Sequence, residues 1–235
     1  MNGEIEPLLS LNPVGVPNNA KPSTGRRHPL CPNPTEISAV NVIDPLRIIA
    51  DDYPPGSAAY DMLVRHGEQV AAKALDVAAH LVSEEIDETF LHEAALLHDI
   101  GIFMTDTPSL GCHGDHPYIC HGTLGRELLE GRGLDRHALV CERHVGVGLS
   151  AGDIQRQNLP LPIRDMRPLA IEEEIICYAD KFYSKSSRQH QAARTTAEIV
   201  AMLRRYGEPP VQKFQAWVRR FENRVRRPSP SDHTG

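Results

Sequence analysis

Ionisable residues stand where a helical core should hold only hydrocarbon, and this constrains the chain more than any other feature. Leu63, His66, Val70, Ala74, Val77 and Leu81 step by three or four residues, the spacing of one buried helix face, with a histidine in the row. The run Leu96-Leu97-His98-Asp99-Ile100-Gly101 puts a His-Asp pair at the end of another apolar helix. His121 shares a stripe with Leu124 and Leu128, and His144 with Val140 and Val147. Ile175, Ile176, Cys177, Tyr178 and Ala179 lead without a charge into Asp180. A lone histidine on such a face is more often a hydrogen-bonded core residue than a ligand. The set is different: burying an unpaired carboxylate costs more than packing returns, so repeated placement requires a common partner. A divalent cation is the most economical one, and imidazole with carboxylate suits Fe, Mn, Ni, Co or Zn.

The pattern between the two ends is helical throughout, which predicts an all-α single domain over residues 43–225. Asp87 is placed to cap a helix running to His98, and Gly101 stands where a helix end commonly needs positive φ. Residues 104–117, with Pro108, Gly111, Gly114 and Pro117, read as a loop. Further helices are expected near 121–130, 135–147, 171–185, 192–206 and 209–224. Seven prolines between Pro7 and Pro34, without a sustained period, predict a flexible segment over 1–42. The tail 226–235 reads the same way.

Composition excludes several classes. Aromatic residues make up 5% and the formal charge is −6, which argues against a stacking platform or a basic nucleic-acid footprint. No nucleic-acid partner is expected on that ground. No apolar run approaches the ~20 residues of a membrane span. The five cysteines form no C-x-x-C pair, which reads as reduced thiols. With no apolar leader near Glu4 and Glu6, a cytoplasmic location is expected.

The ordered residues His66, His98-Asp99 and Asp180 resemble the H…HD…D pattern of the HD-domain metal-dependent phosphohydrolase superfamily, in its HDIG-bearing branch (His98-Asp99-Ile100-Gly101). The resemblance covers roughly 56–190 and implies an HD-domain-like helical bundle. Dinuclear members of that superfamily add two histidines before the last Asp, and His121 and His144 stand in those places. The resemblance therefore implies two divalent metal ions, Fe or Mn (Ni, Co or Zn as alternatives), on His66, His98, Asp99, His121, His144 and Asp180. Asp99 would be the bridging catalytic residue. Two metals about 3.5–4 Å apart can hold a hydroxide and neutralise a phosphoryl oxygen. The implied activity is hydrolysis of a phosphate ester or anhydride, with a nucleotide as the small-molecule substrate. Two departures limit the likeness: Ile102-Phe103 replace a lysine that often follows the glycine, and Arg143-His144-Val145-Gly146 replaces the G-Y-P element of cyclic-di-GMP phosphodiesterases.

Other residues fit around that reading. Lys181, Lys185 and Arg188 follow Asp180, and Arg143 adjoins His144, so these cations are candidates for binding a substrate phosphate. Cys112, His113, His116 and Cys120 match no familiar zinc spacing; a rim loop with His113 or His116 touching substrate explains them. Trp217 and Phe221, four apart, read as core. Two alternatives stand beside the hydrolase: a mixed-valence di-iron oxygenase of the same scaffold, and a non-catalytic metal-stabilised regulatory module.

Overall fold

The computed structural model describes residues 43–185 and 192–222. Among them the fold is all-α: nine α-helices, short 3-10 turns, and one antiparallel pair of two-residue strands. In chain order the helices are α1 (Pro45–Asp52), α2 (Ala58–His80), α3 (Glu88–Leu97), α4 (His121–Glu130) and α5 (Asp135–Arg143). They continue with α6 (Ala151–Arg156), α7 (Ile171–Asp180), α8 (Thr196–Leu203) and α9 (Glu208–Phe221). The segments 1–42 and 226–235, expected to be flexible, lie outside the described residues, as does Arg188. No described helix is long and apolar enough to cross a membrane.

The longest helix, α2, begins where the Ser57 hydroxyl accepts from the Tyr60 amide at 3.1 Å, satisfying a donor that a helix start otherwise leaves open. Its row Leu63, His66, Val70, Ala74, Val77 and Leu81 is buried along its whole length. Gly67 on the same helix lets α3 approach, because a Cβ there would lie 3.0 Å from Leu96 Cα. Asp87 caps α3 by accepting from the Phe90 amide at 2.9 Å. The α3 residues Leu91, Ala94, Ala95 and Leu97 are at most 1% exposed. Replacing Leu97 by alanine would cost about 2–5 kcal/mol, as for other fully buried leucines.

Gly101 does not adopt the positive φ expected of a helix end. It lies inside a 3-10 turn, Ile100–Met104, that continues from α3. Its glycine identity has another cause: an added Cβ would collide with the His121 carbonyl oxygen and the Gly125 amide nitrogen. Gly101 and Gly125 are thus the close-approach point of α4 on the turn after α3. Gly122, on the same helix, faces the Cys141 carbonyl of α5 in the same way.

The loop expected at 104–117 contains the strands Asp106–Thr107 and Cys112–His113, joined through a left-handed Gly111. α7 crosses the molecule at its centre, and Ile175 through Ala179 are fully buried. On one side α7 meets α2, α8 and α9, where Phe214, Trp217 and Phe221 pack around Tyr178. Three expected helices end early. α7 stops at Asp180 rather than 185, α5 at Arg143 rather than 147, and the helix at 192–206 is α8 followed by a 3-10 turn.

Candidate cation centre

Helix ends, not helix middles, build the centre. His98 follows the last residue of α3, His121 opens α4, His144 follows α5, and Asp180 closes α7; His66 alone stands mid-helix. The six side chains form two groups that share Asp99: His66, His98, Asp99 and Asp180, and Asp99, His121 and His144. All six are buried.

Asp99 reaches both groups with different oxygens. Its Oδ2 lies 3.3 Å from His66 Nε2 and 3.1 Å from His98 Nε2. Its Oδ1 lies 3.4 Å from His121 Nε2 and 3.3 Å from His144 Nε2. Asp180 Oδ1 completes the first group, 3.0 Å from His66 Nε2 and 3.6 Å from His98 Nε2.

Three of the rings are oriented by the same device. Nδ1 of His98, His121 and His144 donates to the carbonyl three residues earlier, at 2.7, 2.6 and 2.8 Å. That donation turns Nε2 of each ring inward, as outer hydrogen bonds do for ligating histidines. On His121 and His144, which burial keeps neutral, the Nε2 lone pairs face Asp99 Oδ1 at 3.4 and 3.3 Å and each other at 3.1 Å. Acceptors that face acceptors repel unless a positive charge lies between them. Asp99 Oδ1 has no conventional hydrogen-bond partner in spite of full burial, whereas Oδ2 meets the Lys185 ammonium at 2.9 Å. Buried polar atoms are normally satisfied, so this donor set fits a divalent cation.

The charges agree with the geometry. Burial alone would raise the Asp99 and Asp180 carboxyls. His98 and Lys185 beside the first, and Lys181 and Lys185 beside the second, instead hold both well below the usual carboxylate range. Burial likewise opposes a charged His98, but Asp99 and Asp180 outweigh it and push the ring up to about 9. His121 has no such surplus of carboxylate; burial pushes it down to about 3, and His144 is lowered for the same reason. The Oδ2 side of Asp99 is thus a charged cluster, and the Oδ1 side a pair of neutral imidazoles.

A cleft opens onto this centre, lined by Tyr118, His121, His144, Asp180, Lys181, Tyr183, Lys185 and Arg194 among others. Of the residues proposed from sequence to meet a substrate, Lys181 and Lys185 line it. Arg143, His113 and His116 do not. Arg143 Nη1 is held by Glu173 on a neighbouring helix at 2.8 and 3.0 Å, which turns it towards that helix and not into the cleft. His113 and His116 are exposed on the far part of the rim hairpin. With Cys112 and Cys120 they form no second cation-binding group among the described residues. Tyr118 and Arg194 were not legible in advance. Tyr118 stacks on His121 with ring centres 4.6 Å apart and supplies the carbonyl that orients it. Arg194 donates to the Tyr183 carbonyl at 3.2 Å. A tyrosine three residues before a candidate histidine was the one available signal.

No family model and no solved structure matches the chain. Curated relatives do. A protein of Picrophilus torridus named tRNA (cytidine(56)-2'-O)-methyltransferase is 33% identical over 125 residues, 53% of this chain and 32% of the relative. Its namesake in Thermoplasma volcanium is 30% identical over 131 residues, 55% of this chain and 34% of the relative. The uncharacterized protein MJ0778 of Methanocaldococcus jannaschii is 33% identical over 129 residues, 54% of this chain and 69% of the relative. The chain therefore spans about a third of the two methyltransferases and most of the third protein. The relatives that carry an activity in their names transfer a methyl group to tRNA. That finding overturns the expected metal-dependent phosphohydrolase, its nucleotide substrate and its cofactor of two Fe or Mn ions. It also removes the support for excluding a nucleic-acid partner, since total charge says nothing of what a neighbouring segment brings.

Proposed function

This chain belongs to the family of the uncharacterized protein MJ0778, and from that premise we propose that it is a cation-centred helical module serving tRNA 2′-O-methylation. One observation carries the reading: matches covering 53–55% of this chain fill 69% of MJ0778 yet only 32% and 34% of two tRNA methyltransferases. Matches of that size in one short and two long relatives support a portable unit. Methyl transfer belongs to the long relatives as wholes, so this unit works beside the transferring part rather than replacing it. The ordered H…HD…D residues support an HD-type scaffold, without the hydrolytic activity of that superfamily.

Within the module, His66, His98, Asp99 and Asp180 would hold a divalent cation, with His121 and His144 on the other oxygen of Asp99. A cation on His66, His98, Asp99 and Asp180 would supply a fixed positive charge that joins three helices, α2, α3 and α7. The chain's own residues do the rest. The carbonyls of Ala95, Tyr118 and Cys141 keep three imidazoles aimed inward. The cleft residues Tyr118 and Lys181 present one aromatic face and one ammonium to whatever approaches. Elemental analysis of the purified chain, together with mapping of ribose methylation at tRNA cytidine 56 in cells lacking it, tests the proposal. Bound divalent metal and reduced methylation are expected. Metal-free protein that takes up no added cation, or unchanged methylation, would sink it.

A further inference from the structure

Two lysines touch the buried carboxylates, and they do so differently. Lys181 Nζ pairs with Asp180 Oδ2 at 2.7 Å, the oxygen turned away from the histidines. Lys185 Nζ lies 2.9 Å from Asp99 Oδ2 and 3.6 Å from Asp180 Oδ1. Those are the two oxygens that His66 and His98 face at 3.0–3.6 Å. Lys185 is itself buried, and it stands five residues beyond the end of α7 on backbone with no helical hydrogen bonds to fix it. Its four-carbon stem lets the ammonium leave without moving the helix.

Resting on the cation reading above, we propose that Lys185 is the centre's built-in counter-charge. A divalent cation must displace its ammonium from Asp99 Oδ2 and Asp180 Oδ1 in order to bind. Two like charges cannot share the same pair of oxygens at contact distance, where the low local dielectric makes their repulsion strong. The exchange balances: one ammonium leaves and one dication arrives at two carboxylates. Lys185 therefore keeps the cation-free protein from collapsing around two uncompensated charges, and it sets how much free metal is needed to load the centre. Lys181, on the outer oxygen of Asp180, stays in place through the exchange.

Cobalt(II) titrated into chelator-treated full-length chain, followed by its visible absorption, reads the exchange without any activity assay. Lys185→Met and Lys185→Gln should each tighten apparent cobalt affinity roughly tenfold or more, while Lys181→Gln changes it much less. In the wild-type protein, acetylation of Lys185 by an N-hydroxysuccinimide ester, read by mass spectrometry, should be slow without cobalt and several-fold faster with it. Equal or weaker affinity in both Lys185 variants overturns the proposal while the cation reading stands, as does labelling of Lys185 that cobalt leaves unchanged. Failure of every variant and of the wild type to bind cobalt removes the cation reading, and this proposal with it.

Discussion

The two sides of Asp99 are built from the same residue types and behave as opposites. On the Oδ2 side a second carboxylate, Asp180, and the ammonium of Lys185 join His66 and His98, so the cluster carries full charges. On the Oδ1 side, among the described residues, His121 and His144 approach, both disfavoured from holding a proton. The difference teaches that a ligand's worth depends on what it faces, since His98 and His121 have the same Nδ1 anchor and opposite proton affinities. It also says where a cation should settle first: with the two carboxylates, not with the two imidazoles.

Removing what the sides share should have the largest effect. Asp99→Ala strands Lys185 and four imidazoles in a buried site, and we expect a loss of about 3–5 kcal/mol in the stability of metal-free protein, read by chemical denaturation. Cobalt binding should vanish with it. A variant that keeps both stability and cobalt would show that Asp99 is not the pivot.

Breaking the hinge between the sides comes next. Gly101→Ala pushes a methyl group into the backbone of α4 at His121 and Gly125. Separating α4 from the turn after α3 should cost about 1–3 kcal/mol, the range for overpacked cores. Cobalt affinity should fall too, because His121 moves away from Asp99 while His66 and Asp180 stay. Unaltered stability would mean the two glycines are not in contact in solution.

Proton titration sharpens the comparison, because the sides respond in opposite directions. His98 has its folded value raised to about 9 from an unfolded 6.5, so its contribution is complete below 6.5 and is lost as pH rises through 9. His121 has a folded value of about 3 against the same unfolded 6.5, so the unfolded chain gains the proton first and stability drains as pH falls from 6.5 towards 3. Denaturation of metal-free His121→Gln should show a shallower acid limb with the alkaline limb intact. The same acid limb in both proteins would place its origin elsewhere.

The smallest effect is expected outside the centre. Arg143→Ala removes an ion pair with Glu173, whose oxygens retain the Leu169 and Ala170 amides. A stability loss of about 1–2 kcal/mol, measured by thermal unfolding, should come with unchanged cobalt affinity. A large fall in affinity would return Arg143 to the cleft.

Much of the architecture was legible because burial leaves a period. The row from Leu63 to Leu81 and the charge-free approach to Asp180 each announce a buried face, and all-α follows from such rows. The same logic brought six polar residues to attention, since each interrupts a face. What period cannot carry is where a helix stops and which neighbour a side chain finds. α7 ends five residues before expected, which takes Lys185 off that helix and into the centre. Arg143 looked free because Glu173, its partner, is thirty residues away in sequence. Gly101 showed that something was required of that position, but not whether a turn or a close neighbour required it. The activity was least legible of all, because a ligand set describes what a centre can hold rather than what the surrounding protein does with it.

His66 and Asp180, which meet at 3.0 Å, stand 114 residues apart along the chain. A cation gripping both would act on the unfolded ensemble as a reversible crosslink closing a very long loop. By the usual loop-entropy scaling that closure removes about 4 kcal/mol of chain freedom. Loaded protein should then unfold slowly and resist proteases in proportion, while a chelator would restore fast opening without altering a single bond of the chain. Metal supply would thereby set the lifetime of the folded molecule as well as the state of its centre.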